Sequence, residues 1–304
     1  MKAHRVFLTG ATGFIGRNLA NAFADRDLHV LVRPGSQVEN LASCKNITYH
    51  LYNNSTQSVV DAFEKAKPDL VVHLAACFVA EHKPDDVDRL IAGNILLGAQ
   101  LLEAMSTTGV THLINTGTSW QHFMGDDSRP SNLYAATKEA FEALIDYYVD
   151  ANQMSVITLK LFDTYGPGDT RPKLFNILRT AEASKPLLMS AGAQLIDLVY
   201  IDDVVAAFLA AEQRILSAQS AIHERFGVSS GDPRPLREVV EGFLRLAGSN
   251  VKVEWGARPY RKREVTEAWT SYTPVPGWKP VVAREEGFAR LLEIERGVTS
   301  PVNR

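Results

Sequence analysis

Residues 9–16 read TGATGFIG: three glycines at intervals of three, directly after the apolar run at 4–8. The segment that follows, 14–24, repeats its apolar residues with helical spacing, and a second apolar run at 28–32 is stopped by Pro34 and Gly35. Strand, glycine-rich turn, helix and strand, in that order, present unpaired backbone amides and the positive end of a helix dipole to a phosphate. A side chain at the turn would block the approach. Gly10 permits the tight turn, Gly13 lets a pyrophosphate rest on the backbone, and Gly16 lets the helix pack close to the strand. Thr9 and Thr12 can add hydroxyl donors. The context predicts a dinucleotide-binding unit.

Outward from there, 47–51, 69–74, 112–115 and 155–161 read as strands, and 55–65, 84–106 and 132–149 as helices. Runs such as LVVHL and VITLKL are apolar at successive positions, as in strands covered on both faces. The alternation predicts an α/β fold, a Rossmann-type doubly wound parallel sheet. After Tyr165 the pattern is broken by Gly166, Pro167, Gly168 and Pro172. The segment LVYIDD at 198–203, ahead of an alanine-rich helix, reads as a return to the main sheet. The remainder carries RPYRKREV (258–265), PVPGWKP (274–280) and a terminal helix near 284–295. The expected division is a nucleotide-binding domain of 1–165 plus about 196–222, and a smaller substrate-binding domain of about 166–195 plus 223–304.

The 304 residues suffice for a substantial core, and 45% hydrophobic with 22% charged residues is ordinary for a soluble globular chain. A net charge of −3 offers no basic footprint, so no nucleic-acid partner is expected. No apolar run approaches the roughly 18 residues of a membrane span, and no signal peptide is read at the N-terminus. A cytoplasmic chain without a membrane partner is expected. Cys44 and Cys77 have neither disulfide nor metal spacing and read as buried small hydrophobes; no metal is expected.

Tyr134 and Lys138 stand four apart in LYAATK and so share one helix face. A free tyrosine, with a pKa of roughly 10, is a poor proton shuttle near neutrality. A neighbouring ammonium favours the phenolate, and a three-unit shift corresponds to about 4 kcal/mol. The G-x-x-G-x-x-G spacing, HLAA at 73–76 and this YxxxK together resemble the extended short-chain dehydrogenase/reductase superfamily, in its NAD(P)-dependent sugar epimerase/dehydratase branch. TSWQHF, NLYAATK and IDLVYIDDVV are most similar to its CDP-abequose/CDP-paratose synthase-like 4-ketoreductases. The resemblance implies cofactor contacts at Gly10, Thr12, Gly13, Phe14, Ile15, Gly16, Leu74, Ala75 and Ala76. It also implies Tyr134 as general acid/base and Lys138 as ribose anchor. It further implies a Ser or Thr after the preceding strand, in LINTGTSW. Register favours Thr116 there, with Thr118 and Ser119 as secondary candidates and sugar contacts. Dehydratases of the branch carry an Asp-Glu pair just after that hydroxyl; Gly117 and Thr118 stand there, so elimination of water lacks its catalysts.

The second strand ends VLVRPGS, with no carboxylate to accept a ribose 2′-OH. Arg33, with Ser36 nearby, can grip a 2′-phosphate, so NADP(H) is preferred and NAD(H) remains possible. By the resemblance, Asp163 replaces a usual asparagine, Ile196 replaces a frequent arginine, and Arg261 occupies the place of a phosphate-binding arginine. Lys173 and Arg171 would add charge suited to a diphosphate-linked sugar. The expected reaction is NADPH-dependent reduction of the 4-keto group of a nucleotide-linked 4-keto-6-deoxyhexose. The alternatives are an epimerase holding NAD tightly, a reductase of non-sugar ketones or aldehydes with an apolar cleft at Phe78, Trp120 and Phe123, and a non-catalytic NADP(H) sensor. Helices 84–106 and 132–149 correspond to those of a family dimer interface, so a homodimer is expected.

Overall fold

A computed structural model describes residues 4–41 and 46–295. Six strands follow the predicted alternation: β1 (Arg5–Thr9), β2 (Asp27–Val32), β3 (Ile47–Leu51), β4 (Leu70–His73), β5 (His112–Thr118) and β6 (Ser155–Leu161). With His223–Val228 they form one seven-stranded sheet in the order His223–Val228, β6, β5, β4, β1, β2, β3, every pairing parallel. The apolar runs have the burial their composition implies. All four residues of β4 and all seven of β6 are buried.

Helices cover both faces. On one, Leu19 of the helix Phe14–Ala22 and Phe23 just after it pack with Val204, Phe208 and Ile215 against Val6, Leu8 and Ile157. On the other, Phe63, Leu101, Met105, Phe141 and Ile145 pack against Phe7, Val71 and Val156. From β1 the chain winds one way to β2 and β3, then crosses to β4 on the other side. Ligand clefts in such sheets lie at the carboxyl ends of the strands at that reversal.

The smaller lobe is built around an aromatic cluster. Phe175 lies 5.0 Å from both Tyr165 and Phe243 and 5.2 Å from Phe288. Asp203 fastens the C-terminal segment to the helix Ile201–Ser217. Its carboxylate accepts the amides of Val281 and Val282, both at 3.0 Å, and its carbonyl accepts the Trp278 indole N–H at 2.9 Å.

Several elements depart from expectation. The strand Leu198–Tyr200 does not rejoin the main sheet; it pairs only with Asp163–Tyr165. The return is made by the helix behind it and by His223–Val228, an edge strand of the main sheet that the expected division gave to the smaller domain. Strand β5 runs on to Thr118, three residues past its expected end. The helical run Pro84–Thr108 holds 25 residues and is long and apolar enough to cross a bilayer. Half of it is buried inside the fold, including Leu97, Leu101 and Met105. Cys77 is half-buried rather than buried, and Cys44 lies outside the described residues.

Two histidines on neighbouring strands meet within the sheet. His29 on β2 and His50 on β3 are buried and share a hydrogen bond of 2.9 Å from Nδ1 to Nε2, with Phe7 packed 5.7 Å from the His50 ring. Burial, then the neighbouring His29, pushes His50 down to about 4.

Candidate active site

Gly10 adopts φ +74°, and a Cβ there would lie 2.6 Å from the Ala75 amide nitrogen. At Gly16 it would lie 2.1 Å from the Gly10 carbonyl oxygen. Both positions exclude every side chain, which is why the turn needs glycine. Gly13 caps the helix Phe14–Ala22 without any side-chain hydrogen bond, and the first turn carries no acidic residue. Its amides therefore suit an anion. Phe14 is buried, Ile15 half-buried and Thr12 half-buried at the turn, so the backbone of these residues makes the cradle. The Ala75 amide donates to Thr9 Oγ1 at 3.1 Å, and that hydroxyl meets His73 Nδ1 at 2.8 Å. Burial, with Lys138 adding to it, pushes His73 down to about 3. The HLAA segment is held against the turn by these bonds. Leu74 and Ala75 are half-buried and Ala76 is exposed.

At the end of β2 the Arg33 amide donates to Ser36 Oγ at 3.1 Å, and the Ser36 amide donates back to the Arg33 carbonyl at 3.1 Å. This closed turn leaves Arg33 exposed with no carboxylate in residues 30–38. A backbone cradle that a Cβ would fill, uncapped helix amides and no acidic group together fit a dinucleotide.

Asn132 caps the helix Leu133–Asn152, accepting the Ala135 amide at 2.9 Å and donating to the Ala80 carbonyl at 3.1 Å. Tyr134 is half-buried in the first turn and Lys138 is buried one turn on. Burial pushes Lys138 down to about 8, opposed by the charge of Glu142. Burial also raises the Tyr134 phenol above its ordinary value. The largest charge opposing this comes from Arg171, while Asp163 and Cys77 add to the rise. The expected depression of Tyr134 by Lys138 does not appear: desolvation decides the direction, and the cation that opposes it is Arg171 rather than Lys138.

Thr116 and Thr118 share one face of β5, since side chains alternate along a strand. Thr116 lies inside the strand, its Oγ1 closed off from solvent and without a hydrogen-bond partner. Thr118 is the last residue of the strand, its Oγ1 accepting the Trp120 amide at 3.3 Å. Ser119 is half-buried in the short turn that follows.

Sequence reasoning gave Asn94 no role. It is buried in a π-helical turn, Ala92–Leu96, of the long helical run. Its amide accepts from the Cys77 N–H at 2.7 Å and donates to the Cys77 carbonyl at 2.9 Å and to Thr137 Oγ1 at 2.8 Å. One side chain thus ties the loop after β4 to the helix bearing Tyr134 and Lys138. A lone asparagine in the apolar stretch IAGNILLG was the available signal.

Beside Tyr134 the cleft is aromatic and cationic. Phe78 stands edge-on to Tyr134 at 5.0 Å and lies 5.7 Å from Trp120. Lys173 Nζ is 5.3 Å from the Phe78 ring centre and pairs with Asp163 at 3.6 Å; the Arg261 guanidinium is 5.9 Å from the Trp120 ring. Arg171 lies over the Phe14 ring at 4.8 Å and donates to the Thr164 carbonyl and to Asp169. Phe123 stands apart from the Phe78 rings, between the guanidinium groups of Arg129 at 5.4 Å and Arg263 at 4.4 Å. Behind β5, buried Lys160 meets His122 Nε2 at 3.0 Å and Glu142 at 3.4 Å, and the His122 ring stacks on Trp269 at 3.7 Å. Burial, then Lys160, pushes His122 down to about 4.

The model of the NAD dependent epimerase/dehydratase family matches residues 6–222. The chain is 28% identical to a CDP-abequose synthase of Yersinia pseudotuberculosis, over 86% of this chain and 90% of the relative. It is 26% identical to a UDP-glucose 4-epimerase of Mycolicibacterium smegmatis, over 96% and 98% respectively. The fold superposes on a Thermus thermophilus UDP-glucose 4-epimerase solved with NAD, at a TM-score of 0.82 and 24% identity, covering 97% of this chain and all of that one. With the glycine cradle, the Tyr134–Lys138 pair and the parallel sheet already in place, these matches show that the chain belongs to the NAD dependent epimerase/dehydratase family, whose members are oxidoreductase-type enzymes of the extended short-chain dehydrogenase/reductase kind.

Proposed function

We propose that the protein reduces the 4-keto group of a nucleotide-linked 4-keto-6-deoxyhexose with NADPH. The observation that carries this is the set formed by Tyr134, Lys138 and a strand-end hydroxyl beside the glycine cradle, without the two carboxylates that elimination would need. Whether the hydroxyl is Thr116 or Thr118, Gly117–Thr118 or Ser119–Trp120 follows it, and neither pair is acidic. Among the described residues, the carboxylate whose charge acts on Tyr134 is Asp163, and it is paired with Lys173.

The bound cofactor would supply a hydride to the carbonyl carbon. Tyr134 then gives its phenolic proton to the forming alkoxide oxygen, and a threonine hydroxyl holds that oxygen. We assign this role to Thr118, because Thr116 Oγ1 is sealed from solvent. Lys138 holds the cofactor ribose, and Gly10, Thr12, Gly13, Phe14, Ile15, Gly16, Leu74, Ala75 and Ala76 line the dinucleotide. Ser119, Asp163, Lys173 and Arg261 line the substrate.

The preference for NADPH rests on Arg33. Arg33→Ala is expected to weaken NADPH binding about 10- to 100-fold, the worth of a lost charge-assisted contact, and to leave NADH unchanged. Fluorescence titration measures both, and an unaltered NADPH affinity counts against the assignment. Arg261→Ala is expected to raise KM for the nucleotide sugar at least tenfold with little change in kcat. An unchanged KM would favour a non-sugar ketone.

A homodimer is also proposed. Ile91 and Leu96 on the run Pro84–Thr108 and Tyr147 on Leu133–Asn152 are exposed at 41%, 46% and 65%. They give adjacent helices an apolar outer surface. Light scattering is expected to return twice the 33.5 kDa chain mass, and half that value for Leu96→Glu combined with Tyr147→Glu.

The reading as a whole is tested by NADPH oxidation across CDP-, dTDP- and GDP-linked 4-keto-6-deoxyhexoses. An epimerase, the activity named for several relatives, would instead retain NAD through purification and consume no NADPH.

A further inference from the structure

We propose that Phe78 and Trp120 form the surface that reads the C6 substituent of the sugar, accepting a methyl group and disfavouring a hydroxymethyl group; this rests on the nucleotide-sugar reading above. Phe78, a large apolar side chain, is 47% exposed. It is not an isolated surface ring, because Tyr134 and Trp120 lie within 5.0 and 5.7 Å of it. The open ring therefore belongs to a contiguous aromatic strip beside the reacting tyrosine. A cation marks each end, Lys173 over Phe78 and Arg261 over Trp120.

The strip fits one orientation of a hexose. C1 bears the diphosphate, and C4 lies across the ring from it. With the diphosphate at Arg261 and C4 at Tyr134, the C–H face of the sugar lies on Trp120, and the C5 branch reaches Phe78. The hydroxyl-bearing carbons are matched by Thr118 and Ser119, which directly precede Trp120. A C6 hydroxyl laid on the Phe78 ring would trade part of its water for an aromatic face that offers no hydrogen-bond partner of its own. A methyl has nothing to lose and covers the ring.

The test is calorimetric titration of the NADPH-loaded full chain with CDP-glucose and CDP-6-deoxyglucose, and with the dTDP-linked pair. The 6-deoxy ligand is expected to bind about 10- to 100-fold more tightly than its 6-hydroxy partner. Phe78→Ser is expected to bring that ratio close to one, and Phe78→Leu to preserve most of it, with NADPH affinity unchanged in both. Equal affinities in the unaltered protein overturn the inference, as does a ratio that survives Phe78→Ser. A loss of NADPH affinity with the ratio intact also overturns it, by giving the ring to the nicotinamide. If NADPH binds but none of the four nucleotide sugars does, the proposed function fails and this inference falls with it.

Discussion

Tyr134→Phe is expected to lower kcat by about 10²- to 10⁴-fold, the usual worth of a positioned general acid, with NADPH affinity unchanged. The substitution removes one oxygen from a half-buried ring that keeps its edge contact with Phe78, so the helix cap at Asn132 and the packing of Lys138 stay as they are. Thr118→Val is expected to follow it, at about 10²-fold, through the loss of one donor to the developing oxyanion. Thr116→Val should leave the rate nearly unchanged, because its hydroxyl is closed off from solvent inside the strand. Single-turnover measurements with a 4-keto-6-deoxyhexose nucleotide separate the three. If Thr116→Val proves the slower of the two threonine variants, the strand-end assignment is wrong and the sequence register was the better guide.

A second large effect is acid lability. His50 and His122 are held at about 4 and His73 at about 3, against 6.5 in the unfolded chain, chiefly by burial. Between those values the unfolded chain binds more protons than the folded one. Stability is therefore fully present above pH 6.5 and lost as the pH falls toward 4. His50 and His122 each withdraw about 3 kcal/mol over their windows, and His73 about 5 kcal/mol over its longer one. Three such groups rival the 5–15 kcal/mol total of an ordinary domain. Cooperative unfolding near pH 5 is expected, read from the fluorescence of the four tryptophans. His50→Gln and His122→Gln should each flatten the pH dependence. A melting temperature that stays level down to pH 4 would contradict the account.

What was legible in the sequence is what a single local constraint dictates. The turn at 9–16 admits no side chain at Gly10 or Gly16, so its sequence announces its geometry. Strands β4 and β6, covered on both faces, write that burial into consecutive apolar residues. The edge strand His223–Val228 does not. HERFGV is half polar because Arg225 reaches Glu142 and Asp146, and Glu224 reaches Arg214. The end of β5 was misread for a related reason. Thr116, Gly117 and Thr118 look like a turn, yet pairing with Leu159, Lys160 and Leu161 keeps them extended. The cofactor cradle and the YxxxK pair each lie within one turn or helix. The aromatic strip draws Phe78, Trp120, Lys173 and Arg261 from four separate segments, and no spacing along the chain announces their meeting.

The position of His223–Val228 also sets the order of assembly during synthesis. The chain leaves the main sheet at Leu161, builds part of the smaller lobe, and returns only some sixty residues later to complete the edge. Until residue 228 has left the ribosome, β6 is paired on one side only, with β5, and its other edge is open to pairing with another nascent chain. The first 160 residues therefore lack the strand that closes this edge, although they carry the glycine cradle and the Tyr134–Lys138 pair. A ribosome pausing between residues 161 and 223 would hold this protein in its most aggregation-prone form.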